Sequence, residues 1–336
     1  MGVTKIYSIM PDFTLQKLQE EFLAEKAKAR FAFVLGNGIN RYYNGANAVS
    51  WENLMKKLWS KAGLCESFPE IEQGLSLVEK YDIMCVKMPD KWEDILKSNQ
   101  ELVKETFCQG RFLDPFQGQL MKLNVPVLTT NYDNYLENDL KKECFKNDVL
   151  YKSKGYSETY PLGEYYATQQ FMSEEDIYKN FAVWHIHGTI NHTRSLRLGT
   201  ADYMGLLTYV RNYLNDVANM YNVTKEHQEW GIKDNARNKN EKYQPTWLNI
   251  FYNCSLCING LGLEPTETFF RWLLISRKKY LDRIGSDAKG WYICSLKDLD
   301  EGKMYFLQNV GFNRGCVISL WRTLFYVIYC IILEVS

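Results

Sequence analysis

Six short apolar, β-branched runs punctuate the chain: FAFVLG (31–36), VPVLTT (125–130), FAVWHIHG (181–188), CSLCING (254–260), WYICSL (291–296) and GCVISL (315–320). Several are apolar at consecutive positions instead of alternating, the pattern of strands buried on both faces. They predict a parallel sheet covered by helices. Between them runs a helical periodicity. In SWENLMKKLW, residues Trp51, Leu54, Met55, Leu58 and Trp59 recur on one helical face, with Ser50 placed as N-cap and Glu52 in the first turn. That helix is expected to pack on the sheet.

Other stretches break the pattern. Residues 1–30 read as an N-terminal helical segment ahead of a main domain over 31–336. Residues 60–120 are mixed helical and polar, too long for a simple crossover, and are expected to form a helical insertion. A polar stretch over about 205–245, ending in KDNARNKNEKYQ, is expected as a solvated loop or helical hairpin. TLFYVIYCIIL (323–333) is shorter than the roughly 20 apolar residues of a spanning helix. Arg322 bars its extension, so a buried C-terminal element is expected and no membrane association.

The chain has 336 residues, 46% of them hydrophobic, which is ample for a core. Lys+Arg and Asp+Glu are both 40, so the basic surplus of a phosphate-binding surface is missing and direct nucleic-acid binding is not expected. Nine cysteines are scattered from Cys65 to Cys330 without a disulfide framework, no signal segment is apparent, and Ile6 stands where myristoylation wants Ser or Thr. A cytoplasmic location is the expectation.

In an open parallel sheet, ligands bind beyond the carboxyl ends of the strands. Here those ends carry Gly36-Asn37-Gly38-Ile39-Asn40-Arg41, Thr129-Thr130-Asn131-Tyr132-Asp133, His185-Ile186-His187-Gly188 and Asn259-Gly260-Leu261-Gly262-Leu263. The first turn offers two glycines where backbone N–H groups can meet a diphosphate, but Arg41 replaces the third glycine of a dinucleotide fingerprint, and a bare strand-to-helix turn is the alternative. Asn131 can orient a water or an amide, and Asp133 can accept from a carboxamide or a ribose hydroxyl; the alternative is an Asx cap of the following YDNYLENDLKK. His187 reads as a general base beside a glycine that leaves room for a ligand, as half of an H-x-H metal pair, or as a core histidine. His185, between Trp184 and Ile186, reads best as core. Cys254 and Cys257 have zinc-like spacing but no second pair. No G-x-S-x-G is present.

Taken in order, LGNGINR (35–41) with SWENLMKKLW, LTTNYDNYLE (128–137), VWHIHGTI (183–190) with SLRLGTADYMG (195–205), and INGLGLEPTE (258–267) with FFRWLLISR (269–277) resemble the sirtuin-like NAD-consuming proteins. The resemblance is to their bacterial antiphage-defence branch. It implies an α/β fold, a doubly wound, mostly parallel Rossmann-like sheet with helical insertion, that cleaves the nicotinamide–ribose bond of NAD without a metal. His187 then matches the catalytic histidine, Asn131 the residue that positions water, and Asp133 the aspartate at the nicotinamide-ribose end. Gly36, Gly38, Ile39, Asn40 and Thr130 fall in the blocks around the diphosphate, and Gly260, Gly262 and Leu263 in the segment near the ribose.

The departures bear on the reaction. Zinc-binding cysteine pairs follow the histidine-glycine step in sirtuin deacylases, but no cysteine occurs here between Cys144 and Cys254. Hydrolysis to nicotinamide and ADP-ribose is therefore expected ahead of protein deacylation or ADP-ribosylation, or a non-catalytic NAD sensor. The resemblance further implies a toxic effector held silent until triggered, acting as a homo-oligomer, with a regulatory partner, or both. A nucleotide-processing enzyme or a translocase-type ATPase is the partner class expected.

Overall fold

The computed structural model describes residues 6–8, 15–40, 50–64, 75–88, 101–102, 116–138, 150–152, 157–220, 246–294, 299–312 and 316–318. Among these, nine strands form one sheet: β1 (Ile6–Ser8), β2 (Phe31–Leu35), β3 (Pro126–Thr129), β4 (Leu150–Lys152), β5 (Glu164–Ala167), β6 (Ala182–His185), β7 (Ser255–Asn259), β8 (Gly290–Cys294) and β9 (Cys316–Ile318). Their order is β1-β9-β8-β7-β2-β3-β6-β5-β4. The six strands from β9 to β6 are parallel, and β1, β5 and β4 add antiparallel edges.

All six predicted runs contain a parallel strand, and β2, β3, β6, β7 and β8 are buried along their whole length. In β2, Phe31, Phe33 and Leu35 point to one side and Ala32 and Val34 to the other. The first side packs against Leu18 and Phe22 of α1 (Leu15–Ala27) and Leu120 and Leu123 of α4 (Phe116–Leu123). The second packs against α5 (Glu174–Lys179), α6 (Thr200–Met220), α7 (Trp247–Asn253), α8 (Thr268–Ile284) and α9 (Glu301–Asn309). Helices on both faces of a largely parallel sheet make the fold a doubly wound α/β one of Rossmann-like kind. Cys254 and Cys257 fall on opposite faces, so they cannot share a metal.

From β2 the chain winds outward to β3 and β6, then returns to the other side of β2 and winds outward again through β7, β8 and β9. The reversal between β2 and β7 is a topological switch point, where such sheets open a crevice.

The helix predicted from SWENLMKKLW is α2 (Trp51–Lys61), and Ser50 caps it by accepting from Asn53 N at 3.0 Å. It does not pack on the sheet as expected. Leu54, Met55, Leu58 and Trp59 pack instead on Tyr81 and Met84 of α3 (Leu77–Val86) and on Tyr132, Leu196 and Leu198. Those last three lie in the turns after β3 and β6, so the apolar stripe is covered above the strand ends, and α2 and α3 stand beside the crevice.

Within the N-terminal segment, residues 15–27 are helical and Ile6–Ser8 pair with β9. The polar stretch from 205 begins as the remainder of α6; residues 221–245, the expected tip, lie outside the described residues, as do much of the 60–120 insertion and all of 323–333. Among the described residues, no helix is long and apolar enough to cross a membrane.

Candidate active site

At the switch point the turns after β2 and β7 cross each other closely. Gly36 N donates to Asn259 O and Gly38 N to Gly260 O, both at 2.8 Å, and Ile39 N reaches Gly36 O at 3.4 Å. A Cβ on Gly36 would overlap the Gly260 carbonyl carbon at 2.7 Å, so the side chain is absent there to let two backbones touch. This corrects the expectation that the turn exposes its N–H groups: those of Gly36, Gly38 and Ile39 are engaged by the protein itself.

Above the crossing lies a cavity of about 1090 Å³, at the upper end of small-molecule sites. Its wall follows five consecutive strand ends, from Ile293 and Cys294 on β8 through Gly260 and Gly262, Asn37 and Gly38, and Thr130 and Asn131 to His187. A wall of that length suits an extended ligand laid across the sheet edge.

Asn131 and His187 line this one cavity, and both are about nine-tenths buried. The Asn131 amide is oriented by Nδ2 donating to Gly36 O at 3.4 Å, and the Asn131 backbone N–H donates to Thr129 Oγ1 at 3.1 Å. Asn131 Oδ1 and His187 Nε2 have no hydrogen-bond partner in the protein. Buried polar atoms are nearly always paired, so two unpaired ones on a single cavity wall mark where a ligand or water belongs. The His187 ring stands edge-on to Tyr203 at 5.3 Å and near Phe269 at 5.8 Å. Burial, reinforced by the nearby Arg197 guanidinium, pushes its pKa down to about 3, so the imidazole is neutral throughout the physiological range.

Gly188 does not leave room for a ligand. Its φ is 93°, and a Cβ there would overlap the Ser195 carbonyl and lie 2.6 Å from Ser195 Oγ. The glycine lets the chain turn sharply after β6 and seat the 189–195 loop, where Thr189 N donates to Ser195 Oγ at 2.9 Å.

Five of the sequence-predicted residues are not on the cavity wall: Gly36, Ile39, Asn40, Asp133 and Leu263. Ile39 and Leu263 are core side chains, the latter at φ 51° with its carbonyl accepting from Arg271 Nη1 at 2.9 Å. Asn40 donates through Nδ2 to Asp133 Oδ2, and Asp133 Oδ1 accepts from Tyr135 N at 3.1 Å. Asp133 thus forms an Asx turn and ties the β2 turn to the β3 turn from behind the wall. Burial pushes its pKa up to about 6, with Glu137 adding to the rise and the Tyr135 N–H, His185 and Asn40 opposing it.

His185 is buried as expected, but in polar company. Nδ1 lies 2.7 Å from Asn131 O and Nε2 lies 2.7 Å from Glu137 Oε1.

Sequence reasoning gave no part in the site to Glu267 or Tyr203 and read Trp51 only as part of a helix's apolar stripe, yet all three line the cavity. Glu267 precedes α8, and its carboxyl is pushed up to about 7 by burial and then by Glu264, with Lys303 and Arg271 opposing. Tyr203 projects from α6 beside His187. Trp51 meets the Tyr132 ring at 5.4 Å, and the Tyr132 hydroxyl donates to Arg197 O. The signal for Glu267 was present, as an acid closing the segment after a parallel strand. Among the described residues, no group of three or more His, Cys, Asp or Glu side chains is placed to hold a metal ion.

A family model described as SIR2-like domain matches residues 125–311, more than half of the chain. The match takes in β3, β6, β7 and β8 with the turns that follow them. No curated protein matches the chain significantly.

Proposed function

Because this chain belongs to the SIR2-like domain family, whose chemistry uses NAD, we propose that it is an NAD glycohydrolase. Its reaction would convert NAD and water to nicotinamide, ADP-ribose and a proton. The observation that carries this reading is the pair of unpartnered buried atoms, Asn131 Oδ1 and His187 Nε2, on one cavity beside the switch point.

The C1′–nitrogen bond breaks with both electrons leaving on nicotinamide, and the ribose becomes an oxocarbenium-like cation. A site for that step must not place positive charge against the sugar. His187 meets this condition, since burial and Arg197 keep it uncharged. Its Nε2 accepts a hydrogen bond from a ribose hydroxyl or from the attacking water, and Asn131 Oδ1 accepts the other water proton. Once the water oxygen has bonded to C1′, its proton is lost to solvent. Glu267, ionised above about pH 7, supplies negative charge toward the cation. Asp133 works from behind the wall, holding Asn40 and the crossing turns.

Unregulated loss of NAD would kill the producing cell, so the same reading includes a silent state released by a trigger. We propose an effector role in bacterial antiphage defence, controlled by self-assembly or by a protein partner. The order of the four sequence blocks supports it.

The deciding experiment incubates the purified chain with NAD, alone and with its genomic neighbour, and follows nicotinamide release. Release that needs no acylated peptide supports hydrolysis. Release that depends wholly on peptide assigns deacylation or transfer, and tight NAD binding without release assigns a sensor.

A further inference from the structure

His185 is two residues from the cavity histidine, yet its two ring nitrogens face acceptors: the Asn131 main-chain carbonyl at 2.7 Å and the Glu137 carboxylate at 2.7 Å. A carbonyl cannot donate, so Nδ1 carries a hydrogen. A neutral ring would then turn the Nε2 lone pair toward a carboxylate oxygen at hydrogen-bond distance, which is repulsive. The contact is satisfied only if a further proton lies between Nε2 and Oε1. Both partners are almost fully buried, with side-chain exposures of 4% and 0%, so neither charge is relieved by solvent.

We propose that His185 and Glu137 form a buried, proton-sharing pair that acts as a positioning device for Asn131, fixing its main chain so that Oδ1 stays aimed into the cavity. This rests on the reading of Asn131 as the residue that orients water. The pair is neutral as a whole, so it grips the carbonyl without putting net positive charge beneath a forming sugar cation. The other titratable groups facing His185 are Asp133, from the loop after β3, and the Tyr166 phenol of β5, whose ring stands edge-on at 5.9 Å. Burial opposes the charge on His185, but Glu137, the Asn131 carbonyl and Asp133 outweigh it and hold the ring above the usual imidazole range. Together with the Asp133–Asn40 bond, the pair links β6 and the turns after β3 and β2.

Two experiments test the proposal. In ¹⁵N-histidine spectra of the wild-type chain, the signals missing from His185→Ala identify His185. Both its nitrogens are expected to keep hydrogen above the pH at which a free histidine loses its proton. One bare nitrogen, titrating as in a free histidine, would overturn the pair.

His185→Ala leaves Glu137 buried without its partner and is expected to lower the melting temperature. The double variant H185A/E137Q removes that buried charge, so melting should recover. Its kcat for nicotinamide release should stay about 100-fold below wild type with KM within about threefold, as expected when a reacting group is misplaced by about an ångström. Recovery of both melting and kcat would reduce His185 to a structural part. If the wild-type chain releases no nicotinamide under any condition, the hydrolase reading fails, whereas the histidine spectrum still decides the pair.

Discussion

The crossing of β2 and β7 and the ends of β3 and β6 lie side by side on the same sheet edge, yet one presents engaged backbone amides and the other side-chain atoms on a cavity wall. At the crossing, the Gly36, Gly38 and Ile39 amides are all taken by carbonyls of the protein, and the glycines serve close approach. At the ends of β3 and β6, the Asn131 N–H and both His185 ring nitrogens have partners, while Asn131 Oδ1 and His187 Nε2 have none on the cavity wall. The contrast separates a rigid scaffold from reactive side chains. Changes at the first region should strike stability, and changes at the second should strike turnover.

The largest effect is expected from His187→Ala and Asn131→Ala. Each should lower nicotinamide release by about 10³-fold while unfolding free energy stays within about 2 kcal/mol of wild type. His187 also gives a pH signature. Its folded value lies below that of the unfolded chain, so the unfolded state binds the extra proton and stability falls as pH drops from about 6.5 toward 3. Denaturation of His187→Ala across that window should show a shallower loss.

Gly36→Ala should do the reverse of those two variants, costing about 3 kcal/mol of stability by overpacking the crossing, as read by denaturant unfolding. A Gly36→Ala protein with native stability would show that the two turns are free to part.

Asp133 bridges the regions, so Asp133→Asn should affect both. An amide there sets a donor against either Asn40 Nδ2 or Tyr135 N, and turnover is expected to fall about tenfold. The wild-type rate should drop below about pH 6 as Asp133 gains its proton, and the variant should lack that limb. Its stability profile changes too. The folded value lies above the unfolded one, so wild-type stability falls as pH rises from about 4 to about 6, and Asp133→Asn should lose this slope.

The smallest effect is expected from Glu267→Gln, a loss of about fivefold together with flattening of the rate rise near pH 7, measured by initial velocities across pH.

The parallel strands β2, β3, β6, β7 and β8 were legible because burial on both faces writes consecutive apolar residues into the sequence. The antiparallel edges were not: β4 and β5 read LYK and EYYA, short and tyrosine-rich, and β1 is three residues. Asn131 and His187 were legible as polar residues immediately beyond buried strands. Their neighbours were not, because the Asn40–Asp133 bond joins residues 93 positions apart and the crossing amides find their acceptors across two strands. The low pKa of His187 depends on burial and on Arg197, neither of which local spacing encodes.

The most direct test of the central claim is a double-mutant cycle on nicotinamide release with Asn131→Ala, His187→Ala and the combined variant. Side chains that serve the same water and sugar carbon act as a unit, so the double variant should be scarcely slower than either single one. If the two losses multiply instead, Asn131 and His187 act independently, and the shared site proposed here is contradicted.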